Sequence, residues 1–222
     1  MVYFEKSQPA PACLEVQKAM ANGDYKCEDV LARIKVDFQN KCYICEYKEP
    51  ETINVEHFVS HKGDKDLKFD WDNLFWSCSH CNNTKLAMYD DILNCTDSTH
   101  EVETKLKYIF KPFPFENVVI EELDDSPETL RTRDLLMDVY NGTTKLKTIE
   151  SANLRNKLLE EVMDFQKWLC DYFKTTNTPD DIQYILMKIR AHIHRGSGFT
   201  AFKRWIILEN PRLKQEFERY FD

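Results

Sequence analysis

The sequence predicts an α+β fold, mainly α-helical, with a small strand-containing insert framed by cysteines in its first half. Apolar residues recur at helical spacing over most of the second half, as in Leu154, Leu158, Val162, Phe165, Leu169 and Phe173. Two C-x-x-C pairs bracket residues 42–81, and two short runs of strand-forming residues lie between them, Thr52-Ile53-Asn54-Val55 and Leu74-Phe75-Trp76-Ser77. No internal repeat is visible.

Residues 9–22 and 26–38 read as helices; in the second, Val30, Leu31, Ile34 and Phe38 share a face. The charged stretch 61–72 reads as loop, and Asn82 to about Tyr89 as a short helix. Residues 101–125, with Pro112, Pro114 and Val118-Val119-Ile120, read as an irregular connection holding one strand. Ser126-Pro127-Glu128 is a helix start, with serine as N-cap and proline at the first helical position. Asn141-Gly142 is its stop. Three more helices follow the long one, at Ile182 to Ile193, Phe199 to Leu208 and Leu213 to Phe221. The expected organisation is 1–100 for N-terminal helices and the cysteine-framed core (about 41–89), 101–125 for the connection, and 126–222 for a helical region offering a partner or nucleic-acid interface.

With 222 residues, 42% of them hydrophobic and 13% aromatic, the chain can bury a sizeable core. No run of about 18 apolar residues suggests a membrane span. The start, Met1-Val2-Tyr3-Phe4-Glu5-Lys6, lacks the pattern of a secretion signal, so a cytoplasmic location is expected. Reducing compartments disfavour disulfides, so the eight cysteines call for another explanation. Cys13, Cys27, Cys95 and Cys170 stand apart, and the remaining four are Cys42-x2-Cys45-x32-Cys78-x2-Cys81.

Four thiolates from two such pairs can bind one tetrahedral zinc. They leave no open coordination position, so this zinc is expected to be structural. His80, inside the second pair, is a weaker candidate ligand, and a redox role for one pair is the alternative.

Between and just after the pairs lie Glu56-His57, Asn73 and Cys81-Asn82-x-x-Lys85. Phosphodiester hydrolysis needs an activated water and charge neutralisation at the leaving oxygen. A neutral imidazole such as His57 can take a proton from water near neutral pH. The carboxylate of Glu56 and the amide oxygen of Asn82 suit a hard cation such as Mg²⁺ or Mn²⁺. Asn73 could brace the loop that orients His57.

In order and spacing, Cys42-x-x-Cys45, Glu56-His57-Phe58, Trp71-Asp72-Asn73-Leu74 and Cys78-x-x-Cys81-Asn82-x-x-Lys85 resemble the HNH endonucleases over residues 41–89. The resemblance implies a ββα-metal fold in which His57 is the general base. Glu56 and Asn82 would bind the catalytic cation, and Asn73 would orient the loop. Asn82 and Lys85 would share a helix face, where Lys85 either touches a phosphate or is simply solvated. Ser60 stands where many relatives carry proline.

Ile92-Leu93-Asn94-Cys95-Thr96-Asp97, Tyr140-Asn141-Gly142-Thr143-Thr144 and Asn153-Leu154-Arg155 narrow the resemblance to the PtuB-like component of Septu-type and retron-associated anti-phage defence systems. That implies a protein partner, an ABC-type ATPase (PtuA-like). The substrate would be nucleic acid, DNA favoured over RNA.

The formal net charge of −8 is unusual for a protein that grips nucleic acid unaided. Gln183 to Lys214 is the exception, with seven Lys/Arg against one acid, Glu209. Arg195, Lys203 and Arg204 there are candidate phosphate contacts, beside the glycine-containing stretch His194-Arg195-Gly196-Ser197-Gly198. The competing reading is a helix connection with a charged solvent face. His192 and His194 lack the spacing of a helical metal pair. A zinc-pinned adaptor without catalysis is the rival to the nuclease.

Overall fold

The computed structural model describes all 222 residues, Met1–Asp222. It is α+β and mainly helical, with two small antiparallel sheets. No helix is long and apolar enough to cross a membrane. The first two helices, α1 (Cys13–Ala19) and α2 (Glu28–Asp37), are shorter than their apolar patterns suggest. Cys13 opens α1 and Cys27 caps α2, with Cα atoms 6.6 Å apart, and the two form a disulfide. This overturns the expectation that no cysteine would be so paired. The turn between the helices brings the two residues together, and spacing in the chain gives no sign of that.

Strands β1 (Ile53–His57) and β2 (Leu74–Cys78) pair antiparallel, Ile53 opposite Cys78 and His57 opposite Leu74. Between them, the stretch expected as loop contains the short helix α3 (Lys65–Phe69), capped by Asp64, whose carboxylate accepts from Asp66 N–H and Leu67 N–H. Helix α4 (Ser79–Lys85) follows β2 directly and packs on both strands. This β1–β2–α4 unit carries Glu56, His57, Cys78, Cys81, Asn82 and Lys85, with Asn73 in the turn that leads into β2.

After α5 (Val102–Lys105), the expected irregular connection is instead a regular hairpin, β3 (Leu106–Phe110) with β4 (Val118–Glu122). Leu106, Tyr108, Val118 and Ile120 point into the core while Lys107, Val119 and Glu121 face outward. Prolines 112 and 114 sit in the turn, where no ladder donor is needed.

The remaining helices are α6 (Pro127–Asn141), α7 (Lys145–Tyr172), α8 (Pro179–Ile193), α9 (Thr200–Leu208) and α10 (Pro211–Phe217). Ser126 caps α6 by position only; its hydroxyl bonds Asp124 and Thr129 instead of a helix N–H. Thr178 and Asp181 form a reciprocal capping box on α8. One hydrophobic core runs from Met1 through the strands and the hairpin to Phe202 on α9, and a smaller one joins α7, α8, α9 and α10 around Phe165, Ile189 and Phe217. The helical half therefore shares its main core with the cysteine-framed segment.

Candidate active site

The four cysteines converge. Cys42 and Cys45 lie on a tight turn in which Cys42 C=O accepts from Glu46 N–H at 2.9 Å and Cys42 N–H donates to Tyr47 C=O at 3.1 Å. Tyr43 N–H bonds Trp76 C=O at 3.0 Å and ties this knuckle to β2. Cys78 ends β2 and caps α4, and Cys81 lies in the first turn of that helix. All four are buried, and their sulfurs lie within 4.8 Å of one another, Cys45 to Cys78 at 3.9 Å. A tetrahedral zinc with Zn–S bonds of about 2.3 Å spaces its sulfurs about 3.8 Å apart. The donor set and the spacing fit a structural zinc. Burial raises the Cys45 and Cys81 thiols well above their ordinary range, so a dication is what would hold them as thiolates.

His80 does not join this cluster. Its Nδ1 lies 2.8 Å from a Glu150 carboxylate oxygen on α7, and its Nε2 lies 2.8 Å from Val139 C=O on α6. Both ring nitrogens are engaged, and the histidine staples the start of α4 to two helices of the C-terminal half.

Glu56 and His57 end β1, Asn82 and Lys85 lie on α4, and all four line one pocket of about 460 Å³ with His61 on its rim. The antiparallel register sets this up, because β2 delivers α4 back alongside the end of β1. Glu56 is buried and accepts from the Tyr43 hydroxyl, with Lys85 Nζ 3.8 Å away. Burial pushes its carboxyl up to about 7, against the opposing pull of Lys85 and Tyr43. Glu56 and the half-buried Asn82 line the same pocket and offer it a carboxylate and an amide oxygen, the donor types a hard cation takes.

His57 is half-buried, and burial lowers its imidazole below the ordinary range. Its Nε2 lies 3.0 Å from Lys68 C=O. A carbonyl only accepts, so Nε2 carries the proton and the lone pair sits on Nδ1. Tyr25 packs edge-on against the ring at 4.6 Å between centroids, and His61 does the same at 4.6 Å. Sequence reasoning missed Tyr25, because the loop carrying it lies some thirty residues before His57 in the chain.

Asn73 lies at the entry to β2 and is buried. Its side-chain oxygen accepts from Val59 N–H at 2.7 Å, and its amide nitrogen donates to Val59 C=O at 2.9 Å and Leu67 C=O at 3.0 Å. Leu67 precedes the residue whose carbonyl fixes the His57 ring, so Asn73 holds both ends of the loop that orients the histidine. Asn73→Ala leaves three backbone groups without their partner and is expected to cost about 2–4 kcal/mol of stability, read from urea unfolding.

The phosphate contacts expected from the sequence fare differently. Lys85 is buried, and its ammonium donates to Phe58 C=O at 2.7 Å and His57 C=O at 3.3 Å. It is neither solvated nor turned out toward a phosphate; it braces the end of β1. Lys203 is fully buried and donates to Ser197 Oγ at 2.6 Å and Glu161 at 3.1 Å. Arg204 is buried and bonds Ile193 C=O, Glu103 and Asp222. Arg195 pairs with Asp222 at 3.3 Å. The cleft beside the 194–198 turn, about 630 Å³, is bordered by Glu161 and Asp164 as well as Lys48 and Lys188. Acids brought in from other elements thus neutralise Arg195, Lys203 and Arg204.

No curated protein matches the chain. Residues 42–87, the stretch that holds both cysteine pairs, Glu56-His57, Asn73, Asn82 and Lys85, match the family model of the HNH endonuclease.

Proposed function

We propose that this protein is a metal-dependent nuclease. It hydrolyses phosphodiester bonds of DNA and serves as the effector subunit of an anti-phage defence complex with an ABC-type ATPase (PtuA-like) partner. The observation that supports the chemistry most directly is the His57 ring, fixed by Lys68 C=O with its Nδ1 lone pair free and sharing a pocket with Glu56 and Asn82. Glu56 and Asn82 would hold the catalytic Mg²⁺ or Mn²⁺, which supplies charge neutralisation at the phosphate and at the leaving 3′-oxygen. His57 Nδ1 accepts the proton of the attacking water. Asn73 and Lys68 keep the imidazole in its productive orientation. A zinc on Cys42, Cys45, Cys78 and Cys81 would join the knuckle to α4 and take no part in the reaction.

Dependence on a partner is supported by charge. The chain carries −8, and Lys41, Lys85, Lys203 and Arg204 are buried against its own acids and carbonyls. These four are lost to a polyanion, and the net negative charge opposes binding one unaided, whereas a larger complex could supply further positive surface.

The test is cleavage of plasmid DNA and of structured RNA with Mg²⁺ or Mn²⁺, with and without a PtuA-like ABC-type ATPase. The expected result is DNA cleavage that His57→Ala abolishes while zinc content and melting temperature stay unchanged. Full activity in His57→Ala would remove the base from the mechanism. Intact substrate under every condition would favour an adaptor, and cleavage of RNA alone would make the protein a ribonuclease.

A further inference from the structure

A second imidazole stands at the proposed centre. His61 lies half-buried on the rim of the Glu56–His57–Asn82 pocket, with its ring 4.6 Å from that of His57 and inclined at 66°. Both rings carry the proton on Nε2, but the backbone engages opposite nitrogens. His57 has its Nε2–H on a carbonyl and its lone pair free on Nδ1. His61 accepts the Gly63 N–H at its own Nδ1, at 3.1 Å. That bond requires a lone pair on Nδ1, so the neutral ring must carry its proton on Nε2. The turn is built to present this donor. Asp64 N–H bonds His61 C=O at 2.7 Å and closes the turn, within which Lys62 and Gly63 both adopt positive φ, 46° and 91°.

We propose that His61 is a catalytic residue whose Nε2–H donates a hydrogen bond to a non-bridging oxygen of the scissile phosphate, opposite the lone pair of His57. One ring accepts from the attacking water and its neighbour donates to the oxygen on which negative charge grows. A neutral donor fixed in place before substrate arrives needs no reorganisation as that charge develops. The buried Lys85 ammonium does not fill this role, because its protons go to the Phe58 and His57 carbonyls. The assignment rests on the nuclease reading and adds to it the residue that contacts the phosphate.

The test compares His61→Leu with His61→Gln, since a glutamine amide can carry an N–H to nearly the position of Nε2 while leucine cannot. With the same plasmid and RNA substrates, and the ATPase present where cleavage needs it, His61→Leu should lower kcat by about 100- to 1000-fold, the usual effect of removing one such donor. His61→Gln should stay within about tenfold of the parent. Zinc content and melting temperature should match the parent in both. Near-parental turnover in His61→Leu, or equal losses in the two variants, would overturn the donor role and leave His57 as the base. A parent protein that cleaves neither substrate would overturn the nuclease reading and this assignment with it.

Discussion

Replacing Cys45 or Cys81 with alanine is expected to abolish zinc binding and, with it, the cooperative unfolding transition of the whole chain. The four sulfurs converge from the 42–45 knuckle and from the β2–α4 junction, so a metal held on them would cross-link the two. A structural zinc contributes apparent binding energy of about 10–16 kcal/mol in small domains. A domain's entire stability is about 5–15 kcal/mol. Loss of the metal is therefore large against everything else in the fold. Because the larger core runs from Met1 through this segment to Phe202, the damage should reach the helical half as well. Zinc content by mass spectrometry and a calorimetric melt read the two effects together. Cys170→Ser is the control; that thiol is exposed and remote from the cluster, and the variant should keep both zinc and melting temperature. A Cys45→Ala protein with parental zinc and a parental melt would show that the cluster is not a zinc site.

Glu46→Ala should cost about 3–5 kcal/mol, more than any other single ion-pair change in the molecule. The carboxylate is buried beside the zinc knuckle, 3.2 Å from the Met1 ammonium and 3.5 Å from Lys41 Nζ, and it accepts Ala201 N–H at 3.0 Å. Burial alone would raise its pKa; Lys41 and the Met1 ammonium more than offset this and hold it down at about 2. The truncated variant leaves Lys41, itself fully buried, without its only anion. Adding Lys41→Met to Glu46→Ala should restore part of the loss, because the unpaired Lys41 charge disappears along with its partner. Urea unfolding of the two single variants and the double variant measures this coupling, and strict additivity would show the pair to be independent. The folded value lies below the ordinary 4.5, so the contribution is complete above that pH and fades as the pH falls toward about 2.

The candidate site was legible because its parts are close in sequence and chemically distinctive. The double C-x-x-C, Glu56-His57, Asn73 and Asn82 fall within one ββα unit and the knuckle and turn that lead into its strands. What was not legible depends on distant partners. Lys85 looks like an exposed helix lysine until the Phe58 and His57 carbonyls are seen above it. Lys203 and Arg204 look like a basic patch until Glu161, Glu103 and Asp222 arrive from elsewhere in the chain. The β3–β4 hairpin was obscured by its prolines, which mark a turn, although the alternation of Leu106, Tyr108 and Phe110 was there to find. In 61–72, Asp64 followed by Asp66 and Leu67 was the capping signal for α3, outweighed by a run of charges.

His80 gives the two halves of the molecule a mechanical relation. Glu56 rides on β1, whereas Asn82 rides on a helix whose first turn is clamped by this histidine to α6 through Val139 and to α7 through Glu150. Glu56 and Asn82 thus reach the pocket from different elements. A displacement of α6 and α7 relative to the strands would pull on the first turn of α4, so the long helices are mechanically coupled to the wall of the pocket.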